Sequence, residues 1–390
     1  ISGPLEVRSP QARIDRAIIR INNRLTRPNM RGEDIIQESL FTTVHLDTFV
    51  PSEHPLRPIR QLIDEAMKRL NWLFDPIYAE GGRQSIPPER LIRAQLLQVL
   101  FSIRSERQLV EQISYNLLYR WFVGLTIDDP VWHHSSFSTN RDRLLEHDVV
   151  THLFEEVVSL ARERRLLSDE HFSVDGTLIQ AWASQKSFRR KDGTDNTDDD
   201  GPAGRNAERN FRGEKRSNET HASTTDPEAR LAKKSRGSES RMAYMGHRVM
   251  ENRNGLIVKA AASLATGTAE RDVAAELLAR LPGSHRKTVG ADKNYDTQGF
   301  VSACRKMKIT PHAARNENRP GGSAIDGRTS RHAGYTISMR QRKRVEEPFG
   351  WGKTIGPIRQ VMMRGREKVH SLFQFTMMGW NLIRMRNLQG

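Results

Sequence analysis

From His171 onward the hydrophobic period of the chain changes, and the order of elements that follows leaves few folds open. Residues 50–165 carry helical spacing. The segment His171-Phe172-Ser173-Val174-Asp175-Gly176-Thr177-Leu178-Ile179 instead alternates as a strand does. Asn254-Gly255 lies between Tyr244–Glu251 and Leu256–Ala262 and predicts a hairpin. Ala269–Leu281 reads as an amphipathic helix, and Lys287–Asp292 as a strand ending in an acid. Gln298–Lys306 reads as a helix, Ile309–His312 as a short strand, and the basic remainder from Arg340 as mostly helical.

Strand, hairpin, helix, strand, helix, strand, helix is the order of a ribonuclease-H-like fold. In that architecture the first strand is central and the fourth lies beside it, reached by a right-handed crossover. The expected fold class is α+β: a helical N-terminal domain over 30–165, then a ribonuclease-H-like mixed-sheet catalytic domain over 166–390. Residues 183–240 are polar and rich in Gly, Asn, Ser, Asp, Lys and Arg, and are expected to form a long mobile insertion. Within it, Asp226-Pro227 is expected to cap a short helix. Residues 1–29, ahead of Met30, are expected to be a disordered upstream extension.

Within the helical half, Pro87-Pro88-Glu89-Arg90 marks a helix start, followed by Leu91, Leu96, Leu97, Leu100 and Ile103 on one face. Ser105 opens a second helix carrying Leu109, Val110, Ile113, Leu117 and Leu118. The pair is either a DNA-reading helix-turn-helix or part of a helical bundle, and the bundle is favoured. A further helix is expected over 140–164. Adjacent His133 and His134 lack an acid or cysteine at ligand spacing and read as structural.

The chemistry lies in three separated acids. Asp175 sits inside an apolar strand, where a carboxylate is costly unless paired or metal-bound. Asp292 ends the second apolar run; its rival Asp296 reads as a cap of the next helix. Glu346, next to Glu347, is framed by Arg342 and Lys353 at i, i+4 and i+11, near one helical face, although Pro348 interrupts the stretch. In the proposed fold Asp175 and Asp292 become neighbours across 117 residues of chain, the difference of their numbers. Two aspartates and a late glutamate are the hard oxygen ligands that a two-Mg²⁺ phosphoryl-transfer site needs.

The chain has 62 Lys and Arg against 47 Asp and Glu, a net charge of +15, and a pI near 10.2. That excess favours a polyanionic partner and salt-sensitive binding. One cysteine, Cys304, excludes an internal disulfide and a Cys-based zinc site. No apolar run reaches membrane-spanning length, so a membrane role is not expected, and a cytoplasmic location is. From Arg340 onward there are eleven Lys and Arg against three Glu. One helical face there, including Lys353, Arg359 and Arg364, is expected to track DNA, with Leu372, Phe373 and Trp380 packing on the catalytic domain.

These motifs resemble the DDE transposases of bacterial insertion sequences, in the insertion-sequence-five group. Val174-Asp175-Gly176-Thr177 is similar to the first motif of that group and Gly290-Ala291-Asp292-Lys293-Asn294-Tyr295-Asp296 to the second. Arg342, Glu346 and Lys353 match the Arg-Glu-Lys part of its C-terminal signature. Ser223-Thr224-Thr225-Asp226-Pro227-Glu228-Ala229-Arg230-Leu231 and Asn381-Leu382-Ile383-Arg384 are also familiar from it. The chain departs at Met339, where the signature has tyrosine, and at Asn294, where glycine is usual.

The resemblance implies that Asp175, Asp292 and Glu346 hold two Mg²⁺ ions, with Mn²⁺ able to substitute. It implies strand cleavage at transposon ends followed by attack of the freed 3′-hydroxyl on target DNA, with Arg342, Lys353, Arg359 and Arg364 on phosphates. The implied partners are terminal inverted repeats, target DNA and a second copy in a synaptic homodimer, in a nucleoid-associated bacterial setting. Two other readings use the same residues: another two-metal nuclease on this fold, and a catalytically degenerate DNA-binding relative.

Overall fold

Among the described residues, eight helices precede the first strand: α1 (Leu46–Phe49), α2 (Leu56–Arg69), α3 (Asn71–Phe74), α4 (Pro88–Leu100), α5 (Glu106–Tyr115), α6 (Leu117–Val123), α7 (His134–Glu146) and α8 (Val149–Glu163). The computed structural model describes residues 45–77, 85–192, 216–235 and 237–389; the extension expected over 1–29 lies outside them. Pro88 stands in the first turn of α4, where its missing N–H is not needed. α4 is central to a bundle: Leu91, Ile92, Ala94, Leu96 and Leu97 are wholly buried.

Two expected helices are each broken in two. Asn116 adopts an extended ψ of 107° and its side chain accepts from Tyr119 N–H at 3.2 Å, ending α5 and capping α6. Asp148 takes a left-handed φ of 50° between α7 and α8, a conformation that aspartate tolerates better than most residues. His133 caps α7, accepting from Ser135 N–H at 3.3 Å, which gives it the structural role expected.

The sheet comprises β1 (His171–Gln180), β4 (Arg230–Ala232), β5 (Arg241–Glu251), β6 (Ile257–Leu264), β7 (Lys287–Ala291) and β8 (Ile309–Ala313). Its order is β4-β5-β1-β7-β8, and β6 also pairs with β5, beyond the stretch taken by β4. β5 runs antiparallel to β1; β7 lies parallel to β1 and β8 parallel to β7. This is the mixed sheet of a ribonuclease-H-like fold, with β1 central and the fourth long strand beside it. The β5–β6 connection is not a two-residue Asn-Gly turn. Five residues, 252–256, link the strands. Glu251 closes them by accepting from Arg253 and Asn254 N–H, and Gly255 alone there takes a positive φ, 73°.

The described ends of the insertion are ordered, unlike the mobile segment expected. β2 (Phe188–Arg190) and β3 (His221–Ser223) form a two-stranded sheet. Residues 193–215 lie outside the description. Asp226 caps no helix. It is buried, accepts the Tyr244 hydroxyl at 2.7 Å and receives Gly365 N–H at 3.3 Å. Glu228 receives Arg366 N–H at 2.8 Å, so the Ser223–Leu231 motif anchors the insertion to β5 and to the chain ahead of the last helix.

The later helices are α9 (Ala269–Ala279), α10 (Gln298–Lys306), α11 (Gly327–Arg331), α12 (Ala333–Gln341), α13 (Glu347–Thr354) and α14 (Arg366–Gln389). α14 is a wall shared by bundle and sheet, touching α2, α4 and α8 as well as β6. Phe373 fills the space left by Gly246, where an added Cβ would sit 2.7 Å from its ring. The Asn381 side chain bonds both the N–H and C=O of Ile257 at 2.8 Å, replacing a missing strand neighbour. Trp380 packs as expected and donates to Gly255 O at 2.9 Å.

Candidate active site and basic groove

Register brings the two aspartates together. β1 pairs with β7 through Ser173 opposite Gly290, so Asp175 and Asp292, each two residues further on, come level at neighbouring strands. Such strands lie about 4.8 Å apart. Asp175 is half-buried, and desolvation pushes its carboxyl up to about 6; the Arg248 guanidinium and the Gly176 N–H oppose that shift, and Asp292 and Glu346 reinforce it. Gly176 N–H donates to Asp175 Oδ1 at 2.9 Å.

Asp292 caps a 3-10 turn over Lys293–Tyr295, accepting Asn294 N–H at 2.7 Å. Asn294 has no positive φ there, so this position does not need the glycine that is usual in the group it resembles. Asp296 is not a helix cap: Thr297 caps α10. Asp296 is fully buried and accepts from Asn316 and Ala324 N–H at 2.7 and 2.8 Å, tying down the 314–325 loop.

Arg342, Glu346 and Lys353 do not share one helical face. Arg342–Glu346 is a 3-10 segment, and Pro348 restarts the chain as α13 in its first turn. Glu346 still lies close enough to Asp175 and Arg248 to act on both electrostatically. Lys353 Nζ donates to Thr177 Oγ1 at 2.5 Å, pinning α13 to β1 two residues from Asp175. Arg342 is half-buried, its Cβ 3.7 Å from the position a Cβ on Gly290 would take, and its Nε is buried without a partner. That places it beneath the strands and away from the groove described below.

Sequence reasoning missed two groups at this site. Arg248 stands directly opposite Asp175 in the β1–β5 register and is one of the largest fully buried side chains. Its Cζ lies 3.2 Å from the Phe349 ring centroid, and none of its guanidinium nitrogens has a hydrogen-bond partner. Burial pulls it down to about 9, against the attraction of Asp175, Tyr295 and Glu346. Glu270, near the start of α9, is pushed up to about 7 by burial and by Asp292 and Asp175. Glycine directly after Asp175 was the one hint, since it leaves room for a second side chain against the strand.

The carboxylates are hard donors suited to Mg²⁺, and none of Asp175, Asp292 and Glu346 makes an ion pair among the described residues. Asp175 has only one backbone donor and stays uncompensated, so the donor set fits a divalent cation in kind. Among the described residues no three acidic, histidine or cysteine side chains yet converge on one ion.

Beside the acids runs a groove of about 950 Å³ between the bundle and the end of β1. Lys353, Arg359 and Arg364 line it, as do Arg104, Arg241 and the exposed Trp182. Arg359 and Arg364 lie on the irregular chain between α13 and α14, so the expected basic helical face is instead a loop wall. Gln180 and Val361 join that loop to the end of β1 through Val361 N–H to Gln180 O at 3.0 Å. Leu372, expected to pack on the catalytic domain, lines the groove.

Residues 167–382, more than half of the chain, match the Transposase DDE domain family, and residues 44–143 match the Transposase domain (DUF772). The chain belongs to the DDE transposase family. No curated protein matches it in sequence. Among solved structures it resembles the piggyBac transposase synaptic complex with hairpin DNA, determined by cryo-EM, at 10% identity and a TM-score of 0.36, over 86% of this chain and 76% of that one. At that similarity the piggyBac complex adds nothing to the assignment. The DDE match begins four residues before β1 and ends inside α14, so it spans the whole sheet together with Asp175, Glu270, Asp292 and Glu346. No described helix of this transposase is long and apolar enough to cross a membrane.

Proposed function

We propose that this transposase, of the insertion-sequence-five group, binds the terminal inverted repeats of its element and catalyses Mg²⁺-dependent strand cleavage and strand transfer, as a homodimer in the synaptic complex. The observation that carries the reading is the placement of Asp175 on β1 beside Asp292, the residue that follows the adjacent parallel strand β7, with Glu346 in the 3-10 segment that follows α12. These three residues would hold the cations. Bound Mg²⁺ would supply Lewis acidity, acidifying the attacking water or 3′-hydroxyl and offsetting charge on the leaving oxygen.

The chain's own groups do the positioning. Lys353, tethered to Thr177, presents a cation beside the acids and at the edge of the groove. Arg359 and Arg364, free of ion pairs among the described residues, contact phosphates without reading bases. The helical segment lines the far wall of the groove and is assigned to DNA binding or assembly.

The test is a duplex carrying a labelled element end, incubated with the protein and MgCl₂. Cleaved ends and joined products are expected from the wild type, and neither from Asp175→Asn, Asp292→Asn or Glu346→Gln. Activity in Glu346→Gln with loss in Glu347→Gln would reassign the third acid. Cleavage without joining marks a two-metal nuclease. End binding without cleavage marks a relative that has lost the chemistry. Arg248 favours that last outcome, since a buried guanidinium among the acids competes with a metal ion.

A further inference from the structure

Arg359 and Arg364 line the groove from irregular chain, and each stands beside a separate fixing of that chain. At one end Gln180, the last residue of β1, donates its N–H to Arg359 O at 3.4 Å and accepts Val361 N–H at 3.0 Å. At the other end two acids of the insertion take two successive N–H groups. Gly365 N–H donates to Asp226 Oδ1 at 3.3 Å, and Arg366 N–H to Glu228 Oε2 at 2.8 Å. Arg364 is the residue just before that second fixing.

The N–H groups at the start of a helix have no partner within it. α14 begins at Arg366, and Gly365 O accepts Val369 N–H at 3.2 Å, so Gly365 is its N-cap. Glycine has no side chain to close that end, and acids 139 and 138 residues earlier in the chain close it instead. Negative charge also suits the start of a helix through the helix dipole. Gly365 takes a left-handed φ of 88°, and a Cβ there would stand 3.4 Å from Glu228 Oε2, so glycine serves both the turn and the approach of the acid.

Asp226 is no chance surface contact. It is buried, its Oδ1 also accepts the Tyr244 hydroxyl, its own N–H donates to Ser223 Oγ at 3.1 Å, and its Oδ2 has no partner. A buried carboxylate bonded through one oxygen is costly to keep. Tyr244 pairs with Ile179 in the β1–β5 register, one residue from Gln180, so both fixings refer to the same end of β1.

We propose that Asp226 and Glu228 are positioning residues for DNA binding: by fixing Gly365 and Arg366 they set where Arg364 stands on the groove wall relative to Arg359. The insertion thereby takes part in the grip on the phosphate backbone, although neither acid meets a phosphate. The inference rests on the reading of the groove as a DNA site. A cation on loose chain loses conformational entropy when it meets a phosphate, and one on chain already fixed loses less. Charge alone gives the opposite sign: an acid beside a polyanion site repels the ligand, so its removal should tighten binding.

The experiment titrates the full chain into a fluorescein-labelled random-sequence duplex at several NaCl concentrations, followed by anisotropy. Arg364→Ala should weaken binding and reduce the log–log salt slope by about one, the loss of one phosphate contact. Glu228→Ala should weaken binding in the same way, and Glu228→Gln, which keeps an acceptor for Arg366 N–H, should fall between it and wild type. Glu228→Ala combined with Arg364→Ala should bind no more weakly than Arg364→Ala alone, because residues that act through one another are not additive. Asp226→Ala should follow Glu228→Ala; should it fail to fold, the exposed Glu228 carries the test. Unchanged or tighter binding in Glu228→Ala, or a further loss in the double variant, beside a reduced slope in Arg364→Ala overturns the positioning role and leaves the groove reading standing. An unchanged slope in Arg364→Ala overturns both.

Discussion

The acid cluster and the basic groove lie at opposite ends of one short stretch of β1, and they are built on different terms. Asp175 is fixed by strand register and half-buried; its carboxyl is raised to about 6 because its surroundings hold less water than the solvent. Arg359 and Arg364 are exposed and stand on irregular chain. A buried charge acts through a low dielectric and is worth several kcal/mol in place, whereas an exposed cation is screened and contributes by number. On the proposed function, chemistry would be concentrated in a few irreplaceable groups and binding spread over many replaceable ones. Lys353 belongs to both regions: half-buried, bonded to Thr177, and on the groove wall.

That contrast is broken most directly at Asp175. Asp175→Asn is expected to lower strand cleavage by about a thousandfold or more, the scale of losing a metal-held transition state. End binding, measured by fluorescence anisotropy, should stay within about twofold. A parallel loss of binding would mean that the two regions are not separable.

The next effect concerns pH in the metal-free protein. The carboxyls of Asp175 and Glu270 are raised in the folded state to about 6 and about 7 from 3.8 and 4.5. The folded chain thus binds protons more tightly than the unfolded one between those values. Their contribution makes the fold most stable below about pH 4 and removes that stability as pH rises through 6 to 7, by on the order of a few kcal/mol in total. Thermal melts in EDTA should show it, and Asp175→Asn should flatten the profile.

Packing behind the site comes next. Gly246→Ala forces a methyl into the Phe373 ring and should cost about 1–3 kcal/mol in a urea titration, with the loss shared by cleavage and binding alike. A neutral result would mean that α14 shifts easily on the sheet.

The smallest effect belongs to the groove. Neutralising Lys353 and Arg359 together should weaken binding to all DNA sequences and lower the log–log salt slope by about one per lost phosphate contact. An unchanged slope would leave these residues as solvated surface.

Much of this is legible in the sequence. Alternating polarity and the Gly and Asn signals gave the strand order, since periods of 2 and 3.6 residues leave distinct patterns. Asp175 and Asp292 stood out because an acid in an apolar strand is conspicuous. Pro348 foretold the break between the 3-10 segment and α13, because proline cannot continue a helix that needs its N–H. By contrast, Asn116 and Asp148 split helices whose apolar spacing ran on unbroken, and Asp226 was legible only as a cap. Local pattern records which face of an element is apolar, and says little about side chains that settle into turns.

The chain's own order of residues determined the sheet, the position of two acids along it and the excess of positive charge. Only the tertiary structure decided which distant groups meet. Glu270 reads as a helix-start acid, and Arg248 as one more charge on a strand. Their roles come from where α9 packs and from the strand opposite Asp175, which are long-range contacts with no trace in local spacing. Likewise Arg359 and Arg364 became one wall of a groove because the chain between α13 and α14 is held to the end of β1 by Gln180 and Val361, and not because they share a helical face.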